Sequence, residues 1–176
     1  GLHSYAFNGS TVYNSGTGSI GASATVETGG ALANGIDNFA YIYSAYVTND
    51  GSVAATATAG DGYAFANGVS NIAYFFGVAS TTNNGDITAT ASIGNDQGYG
   101  VAEAIGIYNY SYLYDSSVVN NGTVSAAVSA GGTYDSTPYT DGCIGDCNQI
   151  SAIGVAVINY VGYYSSASLE NGVDGV

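Results

Sequence analysis

Four stretches of the sequence share one alternating pattern of apolar and hydroxyl-bearing residues, and each includes or borders a glycine-containing turn. They span residues 16–30, 49–60, 83–94 and 120–132. Aligned on their turns, they place four branched aliphatic residues in one column: Ile20, Val53, Ile87 and Val124. Alternation with a period of two is typical of a strand with one buried and one solvated face. The stretches therefore predict four equivalent strands.

A second motif is centred on an asparagine and lies between the copies of the first. The asparagines are Asn38, Asn71, Asn109 and Asn159, which are 33, 38 and 50 residues apart. The glycine of the next turn follows each of them after 13 or 14 residues. This regularity predicts an internal asparagine ladder whose side-chain amides bond one another and nearby backbone groups. The interval of 50 residues between Asn109 and Asn159 is longer than the others and predicts an inserted loop at about 133–149.

Aromatic residues follow each of these asparagines. The aligned positions are Tyr41, Tyr43, Tyr74, Phe76, Tyr112, Tyr114 and Tyr164. The residues between them are also largely apolar, which predicts a strand that is buried on both faces. Seventeen tyrosines are too many for a narrow core built from alanine and glycine columns. We therefore expect this aromatic set to form an assembly interface covered by a neighbouring subunit.

Repeats of this length with ladder-like columns are typical of solenoids. The sequence predicts an all-β fold, a β-solenoid (β-helix) of about four to five coils with roughly three strands per coil. Residues 1–176 are predicted to form one repeat domain. Neither end shows a polar capping repeat, and open sheet edges template pairing with another chain. We therefore expect uncapped ends and a head-to-tail homopolymer.

Composition limits the partners that the chain can bind. It has no lysine or arginine, thirteen acidic residues and one histidine, giving a formal charge of −13. Without a basic patch, binding to nucleic-acid phosphates is excluded. No apolar run approaches the ~18 residues of a membrane helix, so we expect no membrane insertion. The start at Gly1 is interpreted as that of a processed chain, which favours an extracellular or cell-surface location.

The two cysteines, Cys143 and Cys147, lie close together in the inserted loop. A zinc site would need a second pair of cysteine or histidine ligands, and a redox motif would need CxxC spacing. The sequence therefore predicts a local disulfide formed in an oxidising compartment.

Other candidate sites are weaker. Asp61 and Asp96 lie near equivalent corners and form a candidate calcium site. Aspartate is also common in turns because its side chain hydrogen-bonds the turn backbone. Asn8 and Asn121 lie in N-x-S/T sequons and are candidate glycosylation sites. A third sequon at Asn109 is assigned to the ladder. No catalytic triad or dinucleotide motif is present, so we expect neither an enzyme nor a cofactor, with paired glycosidase carboxylates as a distant alternative.

The patterns NxGxIxAxA and AxGVxN resemble the β-solenoid repeats of secreted microbial surface proteins, such as autotransporter passenger domains and filamentous adhesins. They also resemble repeat-built subunits of extracellular filaments and sheaths. The resemblance implies export, surface location and adhesive or structural work. The sequence departs from these families in its lack of basic residues and in its shortness, and the shortness favours a subunit that self-assembles into an extracellular filament, sheath or matrix fibre. The alternative is a monomeric adhesin or an ice-binding module using the hydroxyl column Ser23, Thr56 and Thr90, which Ala127 interrupts.

Overall fold

A computed structural model describes residues 1–94, 100–131, 148–159 and 166–172 of the chain. The described residues form strands and connecting turns, and they include no helix long and apolar enough to span a membrane. The strands are β1 (Leu2–Ala6), β2 (Ser10–Asn14), β3 (Ser19–Ala40), β4 (Ala45–Asn49), β5 (Ser52–Ala73), β6 (Ala79–Asn83), β7 (Asp86–Ile93), β8 (Gly100–Ser111), β9 (Ser116–Asn120), β10 (Thr123–Ala130), β11 (Asn148–Asn159) and β12 (Ala167–Asn171).

The strands stack in parallel, coil upon coil, and form a β-solenoid of about four turns, as the sequence predicts. Each coil contributes one strand segment to each of three faces. Face A contains residues 19–26 and 52–59 with β7 and β10, and face B contains residues 31–40 and 64–73 with β1, β8 and β11. Face C is the sheet of β2, β4, β6, β9 and β12. The register pairs Ile20 with Val53, Val53 with Ile87 and Ile87 with Val124, which is the predicted aliphatic column.

The two long strands β3 and β5 each reverse direction to pass from face A to face B. The reversal contains Gly29 in β3 and Gly62 in β5, with φ values of 98° and 109°. Glycine reaches this region of backbone space without steric cost, whereas other residues do not. The two glycines are paired in the register, so the outer turn repeats from one coil to the next.

The core changes in character across each coil. Faces A and B meet through small side chains, and the buried members of this cluster are almost all alanines, as in Ala55, Ala57, Ala64 and Ala66. Larger aliphatic residues fill the space where all three faces meet. These are Val12, Ile36, Val47, Val53, Val69, Ile87, Ile107 and Val118. The alternating pattern therefore produces a thin, close-packed wing joined to a wider interior.

A column of glycines lies where the thin wing meets the wider interior. Its members are Gly35, Gly68, Gly106 and Gly154. A Cβ atom on Gly68 would collide with Cγ2 of Ile87 and with the carbonyl oxygen of Gly106. In β3, both Gly35 and Ile36 are buried, so the in–out alternation shifts by one residue at this point. The shift turns Ile36 and Asn38 toward the wider interior, where the asparagine ladder lies.

The aromatic segments differ from the sequence-based expectation. They are corners between faces B and C rather than strands buried on both sides, because β3 ends at Ala40 and β4 begins only at Ala45. The inner side of the corner is filled by small residues, namely Ala40, Ala45, Ala73 and Ala79. The aromatic side chains that follow Ala40 and Ala73 are therefore partly or largely exposed on the outside.

The register also corrects one member of the predicted ladder. In the pairing of β11 with β8, Val157 lies opposite Asn109, and Asn159 lies opposite Ser111. In this register Gly154 lies opposite Gly106, between the pairs Ile105–Ile153 and Ile107–Val155, and continues the glycine column. The expectation that Asn159 extends the ladder is therefore wrong.

Candidate functional site

The first asparagine column runs through the interior between faces B and C. Nδ2 of Asn38 donates to Oδ1 of Asn71 at 2.9 Å, and Nδ2 of Asn71 donates to Oδ1 of Asn109 at 2.9 Å. All three side chains are fully buried. Burying an amide is favourable only when its donors and acceptors are bonded, and stacking supplies those bonds at every coil.

Each ladder amide also ties face B to face C. Nδ2 of Asn71 lies 3.1 Å from the carbonyl oxygen of Ala45 and 3.0 Å from that of Ser80. At one end of the column, the hydroxyl of Ser10 donates to Oδ1 of Asn38 at 2.6 Å. At the other end, the register places Val157 opposite Asn109. The ladder thus joins two faces within each coil as well as successive coils.

A second asparagine column, which the sequence analysis missed, runs along the end of face C. It links Asn14, Asn49, Asn83, Asn120 and Asn171 through Nδ2-to-Oδ1 bonds of 2.7, 2.8, 2.8 and 3.3 Å. Nδ2 of Asn49 also bonds the carbonyl oxygen of Gly51 at 3.1 Å, and Asn83 does the same with Gly85. The signal in the sequence is Asn-x-Gly beginning at Asn14, Asn49, Asn83 and Asn120, which indicates a turn but also places one buried amide in each of these coils.

A third polar column lies on the outside of the same turns. Oδ1 of Asp50 accepts from Nδ2 of Asn84 at 2.7 Å, and its Oδ2 accepts from the hydroxyl of Tyr13 at 2.7 Å. The bond from Asn84, followed by the bond from Tyr13, lowers the pKa of the Asp50 carboxyl. The hydrogen bond to Asp50, and then its negative charge, raise the pKa of Tyr13. Asn121 continues this column with a 2.8 Å bond to Asn84.

The corner between faces B and C carries a stack of aromatic rings, which we call the aromatic corner. Its inner row is Phe7, Tyr41, Tyr74 and Tyr112, with ring centroids 5.6, 5.7 and 5.4 Å apart and interplanar angles of 25°, 14° and 18°. Near-parallel rings at these separations are a favourable arrangement worth about 0.5–1.5 kcal/mol per pair beyond area burial. The ring faces are covered by one another, so the row is not a flat platform for stacking a sugar.

The outer row of the aromatic corner is more exposed. Tyr43, Phe76 and Tyr114 are 56%, 60% and 47% exposed, which is high for large aromatic side chains. Corner residues 41–44 and 74–78 contain no acidic residue, whereas the equivalent residues 112–115 include the exposed Asp115. In a chain with a charge of −13, the first two corners are therefore an uncharged surface on which a second acidic molecule could lie without close like-charge contacts.

Face A presents hydroxyl-bearing columns to solvent. Ser23 pairs with Thr56, Thr56 with Thr90 and Thr90 with Ala127, as aligned from the sequence. The hydroxyls of Ser92 and Ser129 lie 2.9 Å apart in the neighbouring column. The face is therefore a regular array of small side chains on stacked strands.

Several of the remaining candidate residues cannot be placed among the described residues. Cys143, Cys147, Tyr164 and Asp96 lie outside the described residues. Asp61 pairs with Thr28 at the outer turn, and within the described part of the chain no group of three His, Cys, Asp or Glu side chains could hold a metal ion. Asn8 and Asn121 are exposed, whereas the sequon at Asn109 is buried.

In comparisons with protein-family models, curated proteins and solved structures, no match to this chain was found. Function is therefore inferred from the geometry of the asparagine columns, the aromatic corner and the strand edges.

Proposed function

We propose that this protein is a structural subunit that self-assembles head-to-tail into an extracellular filament, sheath or matrix fibre. The observation that carries the proposal is the repetition of like residues from coil to coil, which a further copy could continue at either end of the stack. Unpaired strand edges bind additional strands readily, because their N–H and C=O groups lack partners.

The outermost strands of face A among the described residues support this proposal. In the middle of the stack, Val53, Ala55 and Ala57 are fully buried. Their counterparts in the first coil, Ile20, Ala22 and Ala24, are only partly buried, and so are Val124, Ala126 and Val128 in β10. Both terminal strands thus expose apolar residues in the same alternating phase. Covering one with the other would bury apolar area at about 25 cal/mol per Å².

The second asparagine column gives the contact a direction. Every amide in it donates from Nδ2 to Oδ1 of the next coil, from Asn14 through to Asn171. One end therefore offers the Oδ1 of Asn14, and the other offers the Nδ2 of Asn171. A head-to-tail contact joins these two groups, whereas a head-to-head contact would place like groups together.

The aromatic corner would then run along the filament as a stripe of aromatic rings, with Asp115 as its acidic residue. Its exposed outer row is suited to lateral contacts between filaments, since tyrosine and phenylalanine are enriched in interfaces. The extracellular location is part of the proposal and follows from the resemblance of the repeats to those of secreted surface proteins.

The proposal is tested with two neighbouring substitutions in the first strand of face A. Ala24→Lys places an inward-pointing charge in the proposed contact, whereas Thr25→Lys adds the same charge on the solvent side. Negative-stain microscopy and analytical ultracentrifugation should show filaments for the wild type and for Thr25→Lys, and monomers for Ala24→Lys. A wild-type chain that sediments as a monomer at high concentration would contradict the proposal.

Face A supports a second candidate, a module that binds ice through its regular hydroxyl array. The 2.9 Å contact between Ser92 and Ser129 shows that successive rungs bring outward hydroxyls together. The test is thermal hysteresis, compared between the wild type and Thr56→Tyr, which disrupts the centre of the array. An absence of hysteresis in the wild type eliminates this candidate without affecting the first.

A further inference from the structure

We propose that Tyr41, Tyr74 and Tyr112 form an oxidative cross-linking site at which neighbouring coils become joined by dityrosine. The site lies within one molecule, so it does not depend on filament assembly. It requires two phenol rings held side by side and reachable by a small oxidant, and the inner row of the aromatic corner supplies both.

The three rings are held in place by the backbone of the corner. The amide of Tyr74 donates to the carbonyl oxygen of Ala40 at 3.0 Å, and the amide of Tyr112 donates to that of Ala73 at 3.0 Å. This pairing puts each tyrosine directly above the one in the previous coil. Ring centroids are consequently 5.7 Å apart for Tyr41 and Tyr74, and 5.4 Å apart for Tyr74 and Tyr112.

Phe75 restricts the position of two of the rings from the side. Its ring meets Tyr41 edge-on at 5.1 Å and Tyr74 edge-on at 5.0 Å, with interplanar angles of 85° and 82°. The ring of Tyr74 nevertheless keeps 37% of its surface exposed. The row therefore combines fixed spacing with access from solvent, as a coupling site needs.

The outer row provides an internal comparison. There Phe76 occupies the coil between Tyr43 and Tyr114, and its backbone amide bonds the carbonyl oxygen of Ile42 at 2.7 Å, in register with the coil below. A phenyl ring has no phenolic hydrogen and does not form a phenoxyl radical. The two phenols of the outer row, Tyr43 and Tyr114, are thus separated by an inert ring, and we expect no coupling between them.

The chemistry balances with an external oxidant, namely hydrogen peroxide acting through a haem peroxidase. Each of two tyrosines loses one electron and its phenolic proton to give a phenoxyl radical. The radicals join through the ring carbons ortho to oxygen, and the hydrogens on those carbons leave as protons while both oxygens are reprotonated. The net loss of two electrons and two protons reduces one hydrogen peroxide to two water molecules.

The test uses the full chain at low concentration with a haem peroxidase and hydrogen peroxide. We expect dityrosine fluorescence and a monomer mass reduced by two hydrogen atoms per cross-link. Since trypsin has no cleavage site here, digestion at acidic residues should yield linked peptides containing Tyr41 with Tyr74 or Tyr74 with Tyr112. Tyr74→Phe should abolish both linked peptides. The substitution keeps the ring stack but separates the two remaining phenols, Tyr41 and Tyr112, by a phenyl ring.

The matched control is Tyr63→Phe. Tyr63 is 53% exposed and stacks on Phe65 rather than on a tyrosine, so this variant should couple as the wild type does. Coupling that persists in Tyr74→Phe, or linked peptides that map elsewhere, would overturn the inference. The Ala24→Lys variant separates this proposal from the proposed function, because it should remain monomeric and still form the inner-row cross-links.

Discussion

At the scale of single residues, the buried amides explain why the fold tolerates so many polar groups inside. Asn71 accepts a hydrogen bond from Asn38, and the two N–H groups of its Nδ2 have four acceptors within 3.1 Å, in Asn109, Thr81 and two backbone carbonyls. No water is needed to satisfy it, because each neighbour belongs to a stacked coil or to the facing sheet. Removing such a side chain deprives several buried partners of one hydrogen bond each, and a buried polar group left unsatisfied costs about 1–3 kcal/mol.

We therefore predict that Asn71→Ala lowers the free energy of unfolding by at least the cost of one orphaned buried group, about 1–3 kcal/mol. The matched control is Asn67→Ala, since Asn67 is only partly buried and makes one 3.0 Å bond to Asn34. Urea unfolding followed by circular dichroism measures both. Equal losses in the two variants would show that the interior ladder contributes no more than a surface amide pair.

The asparagine columns show which interior contacts could be predicted from the sequence and which could not. The column through Asn38, Asn71 and Asn109 was predictable because each of them precedes the glycine of the next turn by 13 or 14 residues. Asn159 has the same spacing but was assigned to the column incorrectly, because the register places Val157 opposite Asn109 and spacing to the turn does not reveal this. The column through Asn49 and Asn83 was missed because an Asn-x-Gly turn is sufficient to explain those residues without any interior role.

At the scale of elements, the turns are as regular as the strands. The turn after face C carries Asp50 and Asn84 on its outside, and these side chains bond one another across coils. An ionised carboxylate is the better acceptor for both Asn84 and Tyr13, so the folded turn favours the charged form of Asp50. This element therefore couples folding to protonation.

We predict a pH-dependent contribution to stability from this turn. Because the pKa of Asp50 is lowered by folding, its contribution is present above the ordinary carboxyl pKa and is lost as the pH falls through the lowered value. Because the pKa of Tyr13 is raised, its contribution is present below the ordinary phenol pKa and is lost as the pH rises through the raised value. Unfolding curves across pH, compared with Asp50→Asn, measure both effects; superimposable pH profiles would contradict them.

The strands of faces A and B could be predicted from period-two alternation, whereas the corner could not. Aromatic residues continue the alternation beyond Ala40, and a pattern of this kind does not distinguish a strand from a corner whose side chains point outward. The chain bends there because Ala40 and Ala45 are small enough to pack inside the angle. The described aromatic residues proposed for assembly thus lie on the outside of a corner, whereas the sequence pattern predicted a strand buried on both faces.

At the scale of the whole molecule, charge opposes the proposed assembly. A formal charge of −13 and an isoelectric point near 4.1 mean that copies repel one another at neutral pH. Salt screens this repulsion, and the screening (Debye) length is about 10 Å at 0.1 M ionic strength. Apolar strand edges and the aromatic corner can then approach.

We predict that association increases with sodium chloride and as the pH falls toward 4.1. Light scattering and sedimentation velocity measure the effect, with Ala24→Lys as the variant that should remain monomeric across the salt series at neutral pH. Association that is independent of salt and pH would show that long-range charge does not control the contact.

The outer turn between faces A and B has a further consequence. In one coil the two faces are joined through residues 94–99, and in the next through the much longer segment 131–147, yet β11 pairs with β8 in continuous parallel register. The length of this connection therefore does not set the pairing of the strands on either side. Foreign peptides grafted at this point would be carried at a fixed interval along one edge of the molecule, making it a scaffold for regularly spaced display.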